Sequence, residues 1–200
     1  VGRNGCGKTT LLKLIAGDIH MNNLDSDEEC GITMAGKQEI GFLRQISFPD
    51  GEVTVEEEIK KTFAPVFACE KRMGEIEQLL QQEGEDRALF GEYDYLQKKM
   101  EALRGYRWKQ DMEIMFQQFG FALEDLQRPI GSFSGGQQTK VAFIKLLLSR
   151  PDIMLLDEPT NHLDLPTIEW LENYLKSYDK AVVIALTIDA IGVTGQMHGI

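Results

Sequence analysis

Near its start the chain reads Gly2-Arg3-Asn4-Gly5-Cys6-Gly7-Lys8-Thr9, which places glycines, an ammonium and a hydroxyl at the spacing G-x-x-x-x-G-K-[ST]. Chemistry with a polyphosphate follows from these types. Glycines let successive backbone N–H groups turn inward around an anion, and a helix that starts directly afterwards adds partial positive charge at the same point. Lys8 then reaches β- and γ-phosphates and the Thr9 hydroxyl is suited to Mg²⁺. Far along the chain Asp157-Glu158 supplies the complement: Asp157 is suited to the Mg²⁺ shell, and Glu158 to polarising an attacking water. Ser134-Gly135-Gly136-Gln137 is a second polar, glycine-rich turn ahead of a helix, hence a second phosphate receptor. One nucleotide does not need two, so this turn is expected to serve the nucleotide of a partner.

These groups are useful only if secondary structure delivers them. The run from Thr10 to Ala16 reads as a helix ending at Gly17. Ile153-Met154-Leu155-Leu156 is an apolar run of buried-strand length, so the acids at 157 and 158 stand at a strand's C-terminal end, where parallel α/β sheets place ligands. Val141, Ile144, Lys145 and Leu148 give the helix after Ser134 one predicted apolar face, and Ala181-Val182-Val183-Ile184-Ala185 reads as a further buried strand. A phosphate loop should itself follow a strand, and none precedes Val1, so the chain is expected to be a piece of a longer polypeptide.

At 200 residues there is room for one packed domain plus a modest insertion. With 21 Lys and Arg against 32 Asp and Glu, broad wrapping of nucleic acid is disfavoured, although a local contact is not. Cys6, Cys30 and Cys69 form no CxxC pair, which fits reduced thiols rather than a disulfide or zinc framework. No run suggests a signal peptide or membrane span, so a cytoplasmic location without membrane insertion is expected.

In order and spacing these elements resemble ATP-binding cassette domains, with Phe133-Ser134-Gly135-Gly136-Gln137 standing at that superfamily's signature. Asp157-Glu158-Pro159-Thr160-Asn161-His162-Leu163-Asp164 looks like the Walker B and D-loop form of the ABC-F family, paired cassettes without membrane domains that mostly act on ribosomes. The resemblance implies an α/β P-loop NTPase fold: a RecA-like parallel sheet with flanking helices, a helical signature subdomain and an inserted antiparallel helical hairpin. It implies ATP and Mg²⁺ as cofactors and a second cassette further along the polypeptide. The implied nucleotide contacts are Gly2, Arg3, Asn4, Gly5, Cys6, Gly7, Lys8, Thr9 and Thr10. Asp164 falls in the D-loop, and Gln45, within Ile40-Gly41-Phe42-Leu43-Arg44-Gln45, falls at the Q-loop glutamine, a metal and water contact beside Glu158 in catalysis. The implied Mg²⁺ ligands are therefore Thr9, Gln45 and Asp157.

From Gln45 to Ser134 there are 89 positions, long for a compact helical subdomain. Val66, Cys69, Met73, Ile76 and Leu80 repeat at three-four spacing, as do Leu89, Tyr93, Leu96, Met100 and Leu103, with a polar break at Gly84. This reads as a helical hairpin and resembles the arm of the first ABC-F cassette. The expected organisation is ATPase core over 1–60, arm over 61–109, helical signature subdomain over 110–150 and core again over 151–200. Trp108 and Phe116 are expected in the core. The turn at 83–87 is acidic, so contact with a ribosome would use Lys71, Arg72, Lys98, Lys99, Arg104, Arg107 or Lys109, or a ribosomal protein's basic surface, or these charges are a solvated face. The family pattern breaks after Leu186: Thr187 stands where a switch histidine belongs, and His198 lies well beyond. ATP hydrolysis by the isolated chain is accordingly expected to be weak or absent. The leading expectation is an ABC-F ATPase acting in translation or antibiotic protection. A transporter's nucleotide-binding subunit and an ATP-binding module without efficient turnover are the alternatives.

Overall fold

The computed structural model describes residues 6–18, 36, 38–43, 48–84, 86–161 and 163–186. In chain order the elements are α1 (Lys8–Ile15), β1 (Ile40–Phe42), α2 (Val55–Lys60), α3 (Ala64–Glu83), α4 (Arg87–Ala102), α5 (Trp108–Gln118), α6 (Gly135–Ser149), β2 (Ile153–Asp157), α7 (Leu165–Lys176) and β3 (Ala181–Ala185), with short 3-10 turns between several of them. The chain divides into two compact units, one of residues 1–47 and 150–200 and one of residues 48–149.

In the first unit the described strands form a parallel sheet in the order β1-β2-β3. Ile40 pairs with Ile153 and Ile153 with Ala181, so three short strands start level with one another. Asp152, just ahead of β2, holds that alignment: its carboxylate accepts from the Glu39 N–H at 3.0 Å and pairs with the Lys180 ammonium at 2.9 Å. The bond from Glu39, then that from Lys180, keeps the Asp152 carboxyl below its ordinary range. Met154, Leu155 and Leu156 are fully buried, as their unbroken apolar run requires of a central parallel strand. β3 departs from the buried strand expected, because Val183 is 39% exposed and only Ala185 is buried. It is the outer strand of the described sheet, so β-branched composition there reflects strand propensity more than burial.

Leu12 of α1 is the buried link between helix and sheet, packing with Leu155 and Ala185 while Ile15, Ala16, Ile40, Phe42 and Ile153 close around it. With Leu12 against Leu155 and Thr9 bonded to Asp157, the earlier residues of the helix lie toward the C-terminal end of β2. Asp164 caps α7 by accepting from the Thr167 N–H at 3.0 Å, and Pro166 follows in the first turn.

In the second unit, α2 starts with a capping box: the Thr54 hydroxyl accepts from the Glu57 N–H, and the Glu57 carboxylate accepts from the Thr54 N–H. Residues 48–60 belong to this unit, whereas the sequence placed the boundary after residue 60. The reason is burial, since Val55 and Ile59 are fully enclosed and α2 packs on α6. α3 and α4 form the expected antiparallel hairpin, with Arg72 opposite Glu92 and Glu77 opposite Tyr93. Val66, Cys69, Ile76, Leu96 and Met100 line its seam. Leu103 does not join them: α4 ends at Ala102 and Leu103 stays 37% exposed. The return is tight at Gly105, where a Cβ would stand 2.7 Å from Met100 Cε and 3.1 Å from Val66 Cγ1. Trp108 then packs on Phe63 and Phe67 at ring distances of 5.5 and 5.1 Å. Phe116 is fully buried, as expected. α6 exceeds its predicted single face: Val141, Ala142, Phe143, Ile144, Leu146 and Leu147 are all buried, so most of its circumference is covered.

Candidate functional site

Gly7 takes φ +85°, a left-handed value that glycine adopts without strain, and its carbonyl accepts from the Leu11 N–H at 2.9 Å to begin α1. The first amides of α1 are thereby left at its N-terminus, beside Lys8, Thr9 and Thr10. No acidic side chain occupies that first turn. Cys6 is exposed at the same place. Gly2, Arg3, Asn4 and Gly5 lie outside the described residues, as does Gln45.

The decisive geometry joins this helix to the far end of β2. The Thr9 hydroxyl donates to Asp157 Oδ2 at 2.6 Å, across 148 positions of sequence. A hydroxyl and a carboxylate from separate elements, facing each other in the open, are hard oxygen donors of the kind Mg²⁺ takes. The residues present therefore fit that ion. Among the described residues no cluster of three His, Cys, Asp or Glu offers another metal site.

Glu158 is the next residue and one of three non-glycine residues described at positive φ, at +45°. Its N–H donates to the Ala185 carbonyl at 2.9 Å, so the turn after β2 is fastened to the end of β3. The Asn161 side-chain amide donates to Glu158 Oε2 at 2.8 Å. In the sequence Asn161 stands out only as part of a motif. The signal available was its spacing, three residues past the acid in a turn.

In the helical unit, Ser134 and Gln137 make a reciprocal cap on α6. The Ser134 N–H donates to Gln137 Oε1 at 2.9 Å, and the Gln137 N–H donates to Ser134 Oγ at 3.3 Å. The Gln137 N–H is thus spent on the cap. Ser134, Gly135 and Gly136 are exposed, and among the described residues a Cβ at either glycine would meet nothing within 4 Å. On the hairpin, Arg72 is engaged by Glu92 and Glu75, Lys98 by Asp94, Arg104 by Asp111 and Lys109 by Glu113. Lys71, Lys99 and Arg107 make no ion pair among the described residues. Glu85, His162 and Thr187 with all that follows it lie outside them.

A family model described as ABC transporter matches residues 1–161. The chain belongs to that family. The ATP-binding protein YdiF of Bacillus subtilis is 39% identical over 92% of this ABC chain and 28% of its own length. ABC transporter F family member 5 of Arabidopsis thaliana is 36% identical over 92% of the chain and 26% of its own. The energy-dependent translational throttle protein EttA of Mycobacterium tuberculosis is 33% identical over 94% of the chain and 32% of its own. The ABC chain thus spans about a third or less of the curated relatives it matches. Among solved structures, the ATP-binding subunit of an ABC transporter superposes with a TM-score of 0.59 at 18% identity, over 96% of this chain and 68% of that one. The fold is accordingly the α/β P-loop NTPase fold of ABC ATPases, a parallel sheet with a helical subdomain. No described helix is long and apolar enough to cross a membrane.

Proposed function

We propose that this ABC chain is a cassette of ABC-F type that binds and hydrolyses ATP together with a second cassette and uses the resulting movement on the ribosome. The Thr9–Asp157 contact carries the first half, because it gathers the helix that receives phosphate and the strand end that carries the acids. The F-family relatives and the α3–α4 hairpin support the second half.

In this reading the amides of residues 2–7 and the start of α1 bind the phosphates, and Lys8 neutralises charge at the β–γ bridge. Thr9 and Asp157, with Gln45, hold Mg²⁺, which when bound screens phosphate charge and orients the terminal phosphoryl group. Glu158 orients the water that attacks that group and accepts its proton. Ser134, Gly135, Gly136 and Gln137 face the ATP of the opposing cassette, the exposed serine hydroxyl and glycine backbone meeting its terminal phosphate, and Asp164 shapes the D-loop beside it. Loss of that phosphate removes the group the two cassettes share, so they part and the hairpin moves with its unit.

The test is sedimentation of the intact protein with ribosomes. Glu158→Gln in MgATP should enrich it in the ribosomal pellet over wild type, by retaining unhydrolysed nucleotide. Equal pelleting with and without nucleotide in both forms would count against ribosome action, while ATP turnover is scored separately.

A further inference from the structure

The turn that follows β2 holds its catalytic carboxylate more firmly than the strand end alone would require. Glu158 leaves the sheet at φ +45°, its N–H is tied to the Ala185 carbonyl, and its own carbonyl accepts from the Asn161 N–H at 3.2 Å. Leu163 closes the next turn onto the Thr160 carbonyl at 3.2 Å, with Pro159 buried beneath. The backbone is therefore fixed on both sides of Glu158. The Asn161 amide acts on its side chain by donating to Oε2 at 2.8 Å.

We propose that Asn161 is a positioning residue for hydrolysis: its side-chain amide holds one oxygen of Glu158 so that the other faces the attacking water. The proposal rests on the reading of Glu158 as the water-orienting base. The residue type suits the task. A primary amide donates without bringing charge to the site, whereas a carboxylate in its place would repel Glu158 and a lysine would place a cation beside the metal-holding Asp157. Asn161 is itself exposed, so its truncation opens no cavity and a purely packing role predicts no effect on turnover. Among the described residues the side-chain hydrogen bond of Asn161 is the one to Glu158, so its loss should show in turnover rather than in ATP binding.

The experiment uses the intact protein, with kcat and KM for MgATP measured at steady state and the first turnover followed at saturating nucleotide. Asn161→Ala should lower kcat roughly tenfold, the worth of one net hydrogen bond expressed in the transition state, with KM within about twofold of wild type. Asn161→Gln, which keeps the amide, should recover most of the loss, and Asn161→Asp should be slower than the alanine variant. In a Glu158→Gln background, Asn161→Ala should change neither residual turnover nor ATP affinity, and the unchanged affinity also reports a folded site. An unchanged kcat, a rise in KM alone, or an additional loss of turnover in the Glu158→Gln background overturns the role of Asn161. Unimpaired turnover by Glu158→Gln itself overturns the reading of Glu158, and the proposal with it, by a different measurement.

Discussion

Glu58 offers a perturbation whose size and pH dependence both follow from geometry. It sits on α2 at 8% exposure and accepts hydrogen bonds from Lys145 of α6 and from Lys61 in the 3-10 turn after α2. Lys145 also lies over the Phe48 ring, 5.6 Å from its centre, so one ammonium joins α6 to α2 and to the segment leading into it. Glu58→Gln keeps the shape and removes the charge. Breaking a buried pair costs about 3–5 kcal/mol and an exposed one about 0–1. The Lys145 side chain keeps 22% of its exposure and that of Lys61 58%, so Lys145 carries most of the effect and the expected cost is about 2 kcal/mol at neutral pH. Hydrogen exchange of α2 and α6 peptides in the intact protein reads this as roughly thirtyfold faster local exchange. Burial pushes the Glu58 carboxyl up, but the bonds from Lys145 and Lys61 more than reverse that, leaving it below its ordinary 4.5. A depressed carboxyl contributes its stability above the unfolded value, and that contribution is lost as pH falls through the folded value. Wild type at low pH therefore comes to resemble the glutamine variant. The ratio of exchange rates should shrink toward one as pH drops below 4.5. A ratio that stays constant from pH 7 into that range would refute the ion-pair explanation and leave only packing.

Two further outcomes bear on the turn proposed to bind phosphate. Among the described residues a Cβ at Gly7 meets no atom within 4 Å, so the effect of Gly7→Ala is conformational: holding alanine at φ +85° costs about 1–2 kcal/mol, and affinity for a fluorescent ATP analogue should fall about tenfold. Unchanged affinity would mean that this φ is not needed for nucleotide binding. Cys6 is exposed beside the helix start, so alkylation should block nucleotide binding and MgATP should slow the labelling; equal rates with and without nucleotide would place Cys6 away from the bound phosphates.

What the sequence disclosed and what it hid divide along the range of the interactions. The helix from Lys8, the strand ending at Asp157 and the glycine-rich start of α6 each announce themselves within a few residues, and parallel α/β topology then brings the first two together without a contact having to be foreseen. The hairpin was legible for the same reason, as two amphipathic runs around Gly84. Glu58 was not. Beside Glu56 and Glu57 it looks like one more acid favouring a helix start, and its partner stands 87 positions away on a helix where Lys145 falls among the residues read as an apolar face. Those two oddities explain each other, since a lysine within an apolar stripe and an acid beside Val55 and Ile59 are each costly alone and satisfied together. A charge that breaks an apolar pattern is therefore a statement about a partner elsewhere in the chain. Residues 48–60 group with the helical unit for the same reason: helix-start signals say nothing of where the buried face of α2 and its inward-facing acid find their counterparts, and these lie on α6.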